Sequence, residues 1–331
     1  MKTVNWGIIG CGDVTEIKSG PAFNLVENSK LIAVMRRDAE KARDYALRHK
    51  VSKWYQHAED LINDPEVNAV YIATPPSTHA EYAIRAMNAG KPVYVEKPMA
   101  MNTRECEEML KVSQLTGCPL FVAYYRRALP YFLKIKELVE NGAIGKVLYF
   151  NIFLHNPAKT DEVQQSEKKG WRIDPSISGG GHFHDLASHQ IDYMEYLFGP
   201  VNEVKGFGTN RSGLYAPDDT VVASFRYNSG LIGTGSWCFT VPKEHKKDQT
   251  EIVGSKGKIT FTFFEKPELN IESENYSDHL NIPHPKHIQQ PLIELVVKEI
   301  LGSGNSPSTG TTGIRSTIII DKILAQKNRI V

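Results

Sequence analysis

Three short stretches of this chain carry residue types that could do chemistry. The first is Gly10-Cys11-Gly12, at the end of an apolar run containing Val4, Trp6, Ile8 and Ile9. Glycines there allow a tight strand-to-helix turn and let a pyrophosphate approach bare backbone N–H groups. The second is Glu96-Lys97-Pro98. A proline disfavours helical geometry in the residue before it, which leaves Lys97 extended with an ammonium able to stabilise a developing alkoxide; an ordinary loop lysine accounts for the tripeptide equally well. The third is Ser178-Gly179-Gly180-Gly181, running into His182, His184, Asp185, His189 and Asp192. On a helix Asp185, His189 and Asp192 share one face. Imidazole titrates near neutrality, and a neighbouring carboxylate fixes its tautomer and favours its protonated form. That suits a group which gives or takes a hydroxyl proton, with Asp192 a helix-end or supporting partner. The bland alternative is a solvated helix bearing an i,i+4 contact. A rival reading takes His182, His184 and His189 as ligands of a metal-assisted hydrolase. No established ligand spacing supports it, and it leaves Gly10 to Gly12 unexplained, so the expectation is that no metal is bound.

The elements that must hold these residues follow from periodicity. Strands at Val4–Ile9, Lys30–Met35, Ala69–Ala73, Pro92–Glu96 and Leu120–Ala123 alternate with helices at 15–24, 38–49, 58–63, 78–89 and 102–116. That alternation predicts βαβ units and a mostly parallel sheet ending near residue 122, hence domains 1–122 and 123–331. Beyond it lie a helix at 130–141 and strands at 146–154, 201–209, 220–225, 231–239, 250–254 and 258–264. Joined by turns such as Asn228-Ser229-Gly230, they predict one open antiparallel or mixed sheet, with helices at 186–197, 291–301 and 312–326. The segment 156–169 has no readable shape. An open sheet leaves a second face to cover, which predicts a homodimer or larger oligomer through sheet-on-sheet contact.

In a dinucleotide fold the second strand ends in an acid that holds the adenosine ribose hydroxyls. Here Val34-Met35-Arg36-Arg37-Asp38 puts Arg36 at that place. A guanidinium has no acceptor for hydroxyls but offers a fork of donors to a 2'-phosphate, so NADP(H) is favoured. NAD(H) is the alternative, on the reading that Arg36 and Arg37 are solvated and Asp38 does the acid's work. Thr15 stands where the fingerprint usually has Gly or Ala. The loop from Thr74 and Pro75 to His79 leaves its strand at the carboxyl end, where parallel sheets bind ligands. It either packs along the cofactor or is a rigid crossover.

The 331 residues carry 39 basic against 38 acidic side chains. Such balance gives no footprint for nucleic acid or an anionic membrane, and a small molecule is the expected partner. The four cysteines lack metal-site spacing and fit a reduced, cytoplasmic setting. No leader-like or membrane-spanning apolar stretch is present in the sequence.

Taken in order, Gly10-Cys11-Gly12, Ala73-Thr74-Pro75-Pro76 through His79, Glu96-Lys97-Pro98, Trp171-Arg172, and Gly179-Gly180-Gly181 with Asp185 and His189 resemble the Gfo/Idh/MocA oxidoreductases. This is the group of glucose-fructose oxidoreductase, inositol dehydrogenase and NADP-dependent anhydrofructose reductase. The resemblance implies an α/β protein: an N-terminal Rossmann fold and a C-terminal α/β domain on a large open, predominantly antiparallel sheet that mediates homodimer or homotetramer formation. It implies hydride transfer to or from a sugar, keto-sugar, polyol or related cyclic substrate, with Lys97, Asp185 and His189 as the catalytic trio. Expected cofactor contacts are Gly10, Gly12, Asp13, Val14, Arg36, Arg37, Thr74, Pro75, His79, Glu96 and Lys97. Tyr125, Arg126, Trp171, Arg172 and His184 are the expected substrate contacts. Glycoside hydrolysis through transient oxidation and a non-catalytic dinucleotide sensor are the other activities such a sequence could serve.

Overall fold

The computed structural model describes residues 2–158, 170–274 and 276–325. Part of the 156–169 segment and the expected end of the last helix, Gln326, lie outside the described residues. The chain forms two compact units, one of residues 1–129 with 285–315 and the other of residues 130–284 with 316–331.

The first unit is built on six strands: β1 (Val4–Ile9), β2 (Ser29–Met35), β3 (Lys53–Tyr55), β4 (Ala69–Ile72), β5 (Val93–Val95) and β6 (Leu120–Val122). Every neighbouring pair is parallel and the spatial order is β3-β2-β1-β4-β5-β6. This is the Rossmann order, and the direction of winding reverses between β1 and β4, where a crevice opens at the carboxyl ends of the strands. β4 and β5 are buried throughout and β1 nearly so, which is why they read as continuous apolar runs rather than alternations. Trp6, Phe23, Tyr71 and Tyr94 pack in a chain of rings, with Tyr71 and Tyr94 stacked at 5.1 Å. The expected helix at 15–24 is instead a short helix, Asp13–Ile17, followed by a 3-10 turn, Gly20–Asn24. Pro21 lacks the N–H a continuous helix needs there.

The segment 285–315, expected with the C-terminal domain, clusters with this first unit. Its contacts give the reason. Ser308 Oγ donates to the Val122 carbonyl (2.7 Å), Arg127 Nη1 donates to the Pro307 carbonyl (2.8 Å), and Thr309 bridges to Phe121. Its helix Gln290–Ile300 is preceded by a wholly buried Gln289.

The second unit is built on β7 (Val147–His155), β8 (Val201–Thr209), β9 (Thr220–Tyr227), β10 (Ile232–Cys238), β11 (Lys247–Gly254), β12 (Gly257–Phe261), β13 (Glu268–Ser273) and β14 (Tyr276–Asn281). Their order is β14-β13-β12-β11-β7-β10-β9-β8. All neighbours are antiparallel except β7 and β10, so the sheet is the expected mixed, largely antiparallel one. β13 and β14 extend it past the last strand expected. Alternation is clean in β9 and β10, as a sheet covered on one face requires. The covered face packs against helix Gly181–Phe198 and helix Pro130–Glu140, through contacts such as Phe183 on Trp237 and Phe132 on Phe261. The other face exposes Tyr149, Phe207, Val222 and Ile232. Among the described residues, no helix is long and apolar enough to cross a membrane.

Candidate cofactor and catalytic sites

At the end of β1 the chain turns through Gly10 at φ 91°, and a Cβ there would lie 2.6 Å from the Thr74 side chain and 2.9 Å from the Thr74 nitrogen. Only glycine satisfies both the left-handed backbone and that approach. The N–H groups of Gly10 and Cys11 donate to the Met35 carbonyl, tying the turn to the end of β2. At Gly12 a Cβ would meet nothing nearer than 3.8 Å, so one side of the turn is open, and among the described residues no side chain caps the helix that follows. Open space beside uncapped backbone is what a pyrophosphate needs, so these residues fit a dinucleotide. Thr15 accommodates the departure from the fingerprint by folding its hydroxyl back onto the Gly12 carbonyl at 2.8 Å, while its own carbonyl accepts the Tyr45 hydroxyl at 2.8 Å. Burial pushes the Cys11 thiol up to about 11, against the lowering effect of the Arg36 charge, which makes it a poor nucleophile.

Arg36 Nη1 donates to the Cys11 carbonyl at 3.1 Å, so its guanidinium lies against the glycine turn. Asp38 is committed elsewhere. It caps helix Ala39–Arg48 by accepting the Lys41 N–H and pairs with the Lys41 ammonium at 3.1 Å. Arg37 is exposed.

Thr78 Oγ1 donates to Thr74 Oγ1 at 2.8 Å, bracing the loop after β4. The ring of His79, 1% exposed, lies between two carbonyls, with Nδ1 3.0 Å from that of Pro98 and Nε2 2.8 Å from that of Thr74. Burial holds its pKa below the ordinary imidazole value, partly offset by those carbonyls. His79 therefore joins the Thr74 loop to the Lys97–Pro98 segment. Glu96 Oε1 accepts the Tyr71 hydroxyl and the Gln289 side-chain amide, both at 2.6 Å, and Oε2 accepts the N–H of Lys97 at 3.2 Å. The Lys97–Pro98 peptide is cis. Tyr125 and Arg126 are buried in a 3-10 turn of the same unit, with the Arg126 guanidinium 5.2 Å from the Tyr125 ring centre.

In the second unit, Asp174 caps the short helix Pro175–Ser178, and Ser178 Oγ then accepts the N–H of Gly181 at 3.1 Å. Gly181 has φ 71°, and a Cβ there would be 2.5 Å from Pro217. Helix Gly181–Phe198 starts from that turn and is buried over most of its length, with Asp185 7%, His189 3% and Asp192 2% exposed. A solvated amphipathic helix is thereby ruled out, and Asp192 sits mid-helix rather than at an end. Buried ionisable groups persist where partners offset their desolvation. Asp185 Oδ2 accepts Arg172 Nε at 3.0 Å, and Arg172 in turn lies 4.3 Å from the Trp171 ring centre. His184 Nδ1 is 2.9 Å from the Ser178 carbonyl. The His189 ring meets Phe264 edge-on at 6.1 Å. Phe264 is placed by Asp248, whose carboxylate accepts the N–H groups of Phe263, Phe264 and Glu265. His182 instead packs against Tyr215 and Phe239. Among the described residues no three His, Cys, Asp or Glu side chains are grouped to hold a metal.

The structure thus gathers Gly10, Gly12, Arg36, Thr74, His79, Glu96 and Lys97 at one edge of the parallel sheet. Within the second unit it links Trp171, Arg172 and Asp185 and buries His184 and His189 on one helix. Sequence reasoning missed Tyr71, Gln289, Asp248 and Phe264. None lies in a motif, and only the run of apolar residues around Tyr71 and Phe264 carried any signal, that of a strand.

A family model described as "Oxidoreductase family, NAD-binding Rossmann fold" matches residues 4–124, and the GFO/IDH/MocA C-terminal domain matches residues 132–260. Oxidoreductase P35 of Formosa agariphila is 41% identical over 318 residues, covering 96% of this chain and 97% of that protein. A 1,5-anhydro-D-fructose reductase of Ensifer adhaerens is 25% identical, covering 94% and 92%. Myo-inositol 2-dehydrogenase of Thermotoga maritima is 29% identical, covering 76% and 73%. A levoglucosan dehydrogenase solved with NADH and levoglucosan has the same fold, with a TM-score of 0.85 at 24% identity over 97% of this chain and 96% of that one.

Proposed function

The chain belongs to the GFO/IDH/MocA oxidoreductase family, and from that premise we propose that it catalyses hydride transfer to or from a carbon of a sugar, keto-sugar or polyol, using NADP(H) in preference to NAD(H). Relatives named as an anhydrofructose reductase and an inositol dehydrogenase support the substrate class. Bound nicotinamide supplies or takes the hydride at C4. His189 gives or takes the hydroxyl proton. Asp185, held by Arg172, orients the imidazole. Lys97 contacts the reacting oxygen and stabilises charge developing there. Tyr125, Arg126, Trp171, Arg172 and His184 contact substrate. Gly10, Gly12, Asp13, Val14, Thr74, Pro75 and Glu96 line the cofactor site, with Arg36 and Arg37 toward the 2'-phosphate. His79 serves this site by bracing its loops.

The observation that carries this reading is a buried acid, already paired to Arg172, one turn ahead of a buried histidine on the same helix. A protein that only sensed the dinucleotide would have no use for so costly a proton-handling pair. The test is absorbance of the reduced nicotinamide with a panel of keto-sugars and polyols. On a substrate so found, His189→Ala should lose about 10²- to 10⁴-fold in rate with the NADPH dissociation constant unchanged. A fully active His189→Ala enzyme refutes the role.

We also infer self-association through the outer face of the eight-stranded sheet, because Phe207 and Ile232 stand there 63% and 54% exposed.

A further inference from the structure

Glu96 is held by side chains from distant parts of the chain. Tyr71 lies on β4, 25 residues away, and Gln289 precedes helix Gln290–Ile300, 193 residues away. The Tyr71 hydroxyl has one proton. Ser19 Oγ at 3.1 Å and Glu96 Oε1 at 2.6 Å both lie within its reach, and the shorter, charge-assisted bond to the carboxylate takes it. The Gln289 amide is fixed the same way round, because its oxygen accepts the Tyr94 hydroxyl at 3.0 Å while its nitrogen donates to Glu96. Its backbone N–H also donates to the Lys18 carbonyl, beside Ser19. With both donors on Oε1, Oε2 takes the N–H of Lys97. Hydrogen bonds to an ionised carboxylate are the strong ones, and fully satisfied buried networks are rigid.

We infer that Gln289 and Tyr71 are positioning residues for Lys97: through Glu96 they fix the backbone from which its ammonium works. The inference rests on the reading that Lys97 acts on the reacting oxygen. It requires all three donors to keep their places on the two carboxylate oxygens. The titratable neighbours agree. Tyr71 and Tyr94 are both pushed well above the ordinary phenol value, by burial first and by the Glu96 charge second, so they remain neutral donors. His79 faces Glu96 from the start of helix His79–Asn88, and Lys97 follows it in the chain.

The experiment compares Tyr71→Phe and Gln289→Leu with the unmutated protein by hydrogen exchange of the Lys97 amide, by separate kcat and KM values with NADPH, and by the NADPH dissociation constant. Tyr94→Phe is included as the mildest change, since it removes only the bond that orients Gln289. Losing one donor should speed exchange of the Lys97 amide by about tenfold. Amides within β4 and β5 should keep their rates. Activity should fall by about tenfold in kcat with the KM for substrate nearly unchanged, because the ammonium acts on charge that develops in the transition state. A loss confined to kcat, with NADPH affinity intact, is what a general loss of packing would not give. The inference is overturned by unchanged Lys97 exchange in all three variants, or by a loss of activity that lies in NADPH affinity rather than in kcat. Lys97→Ala separates the two levels: if it turns over normally, the catalytic reading fails, whereas the exchange result still decides whether the network holds that backbone.

Discussion

Arg36→Ala offers the sharpest separation of cofactor chemistry from simple support of the fold. The guanidinium has two jobs to lose. One is its bond to the Cys11 carbonyl at 3.1 Å, a bond to a neutral acceptor on the turn that both cofactors must share. The other is a charge-assisted bond to a 2'-phosphate, present only in NADP(H) and contributing about 1.5–3 kcal/mol. Loosening the turn weakens NADH and NADPH alike, so that contribution cancels in the ratio of their dissociation constants. The phosphate contribution does not cancel, and it converts to a change in that ratio of roughly ten- to a hundredfold. Titration by nicotinamide fluorescence at fixed ionic strength, with Arg36→Lys alongside, measures it. Lysine keeps the charge but not the fork, so it should fall between the two. Equal affinities for NADH and NADPH in the unmutated protein, or an Arg36→Ala variant that weakens both by the same factor, would refute the assignment. In that event Asp38 would need re-examination, although its carboxylate already caps a helix and pairs with Lys41.

Removing the guanidinium in Arg172→Leu leaves the Asp185 carboxylate buried with a partner lost. Breaking a buried pair costs up to 3–5 kcal/mol, and the 39% exposure of Arg172 reduces this to about 1–3 kcal/mol; urea unfolding measures it, and an unchanged midpoint would show the ion pair to be idle. The bonds from Arg48 and His49 hold Glu16 down at about 2 from an ordinary 4.5, against burial. Unfolded chains therefore take up the proton first, and the stabilisation is complete above pH 4.5 and drains away toward pH 2. Glu16→Gln should accordingly lose stability at pH 6 and show a shallower decline between pH 5 and 2.5 in urea midpoints. Light scattering at micromolar concentration should find an oligomer that Phe207→Glu with Ile232→Glu converts to monomer; a monomeric unmutated protein ends that reading.

The motif residues of the first unit were legible because their constraints are local. Gly10 is forced by the approach of Thr74, and the alternation of strands with helices follows from burial on both faces of a parallel sheet. β3 escaped notice because Lys53-Trp54-Tyr55 is a short edge strand with half-buried and exposed positions. β13 escaped because Leu269 and Ile271 are its only two apolar positions, and β14 because it is a mostly polar edge strand. Helix Gly181–Phe198 was placed about five residues too late, since its first turn is glycine and histidine rather than the apolar residues by which a helix is recognised.

The harder failure concerns burial. Asp185, His189 and Asp192 on one face, with Leu186, Ile191 and Leu197 available for another, suggest a helix with one wet side, and periodicity alone cannot say otherwise. What makes burial tolerable here is supplied from outside the helix: Arg172 from 13 residues upstream, and the Phe264 ring set by Asp248. Glu96 is the same case at longer range, buried because Tyr71 and Gln289 arrive to donate to it. A carboxylate without those donors would bear its desolvation cost uncompensated. The charged groups proposed for chemistry are thus the ones whose environment depends most on distant sequence. A search of this chain for further functional residues should therefore start from the donors to Asp185 and Glu96 rather than from additional motifs.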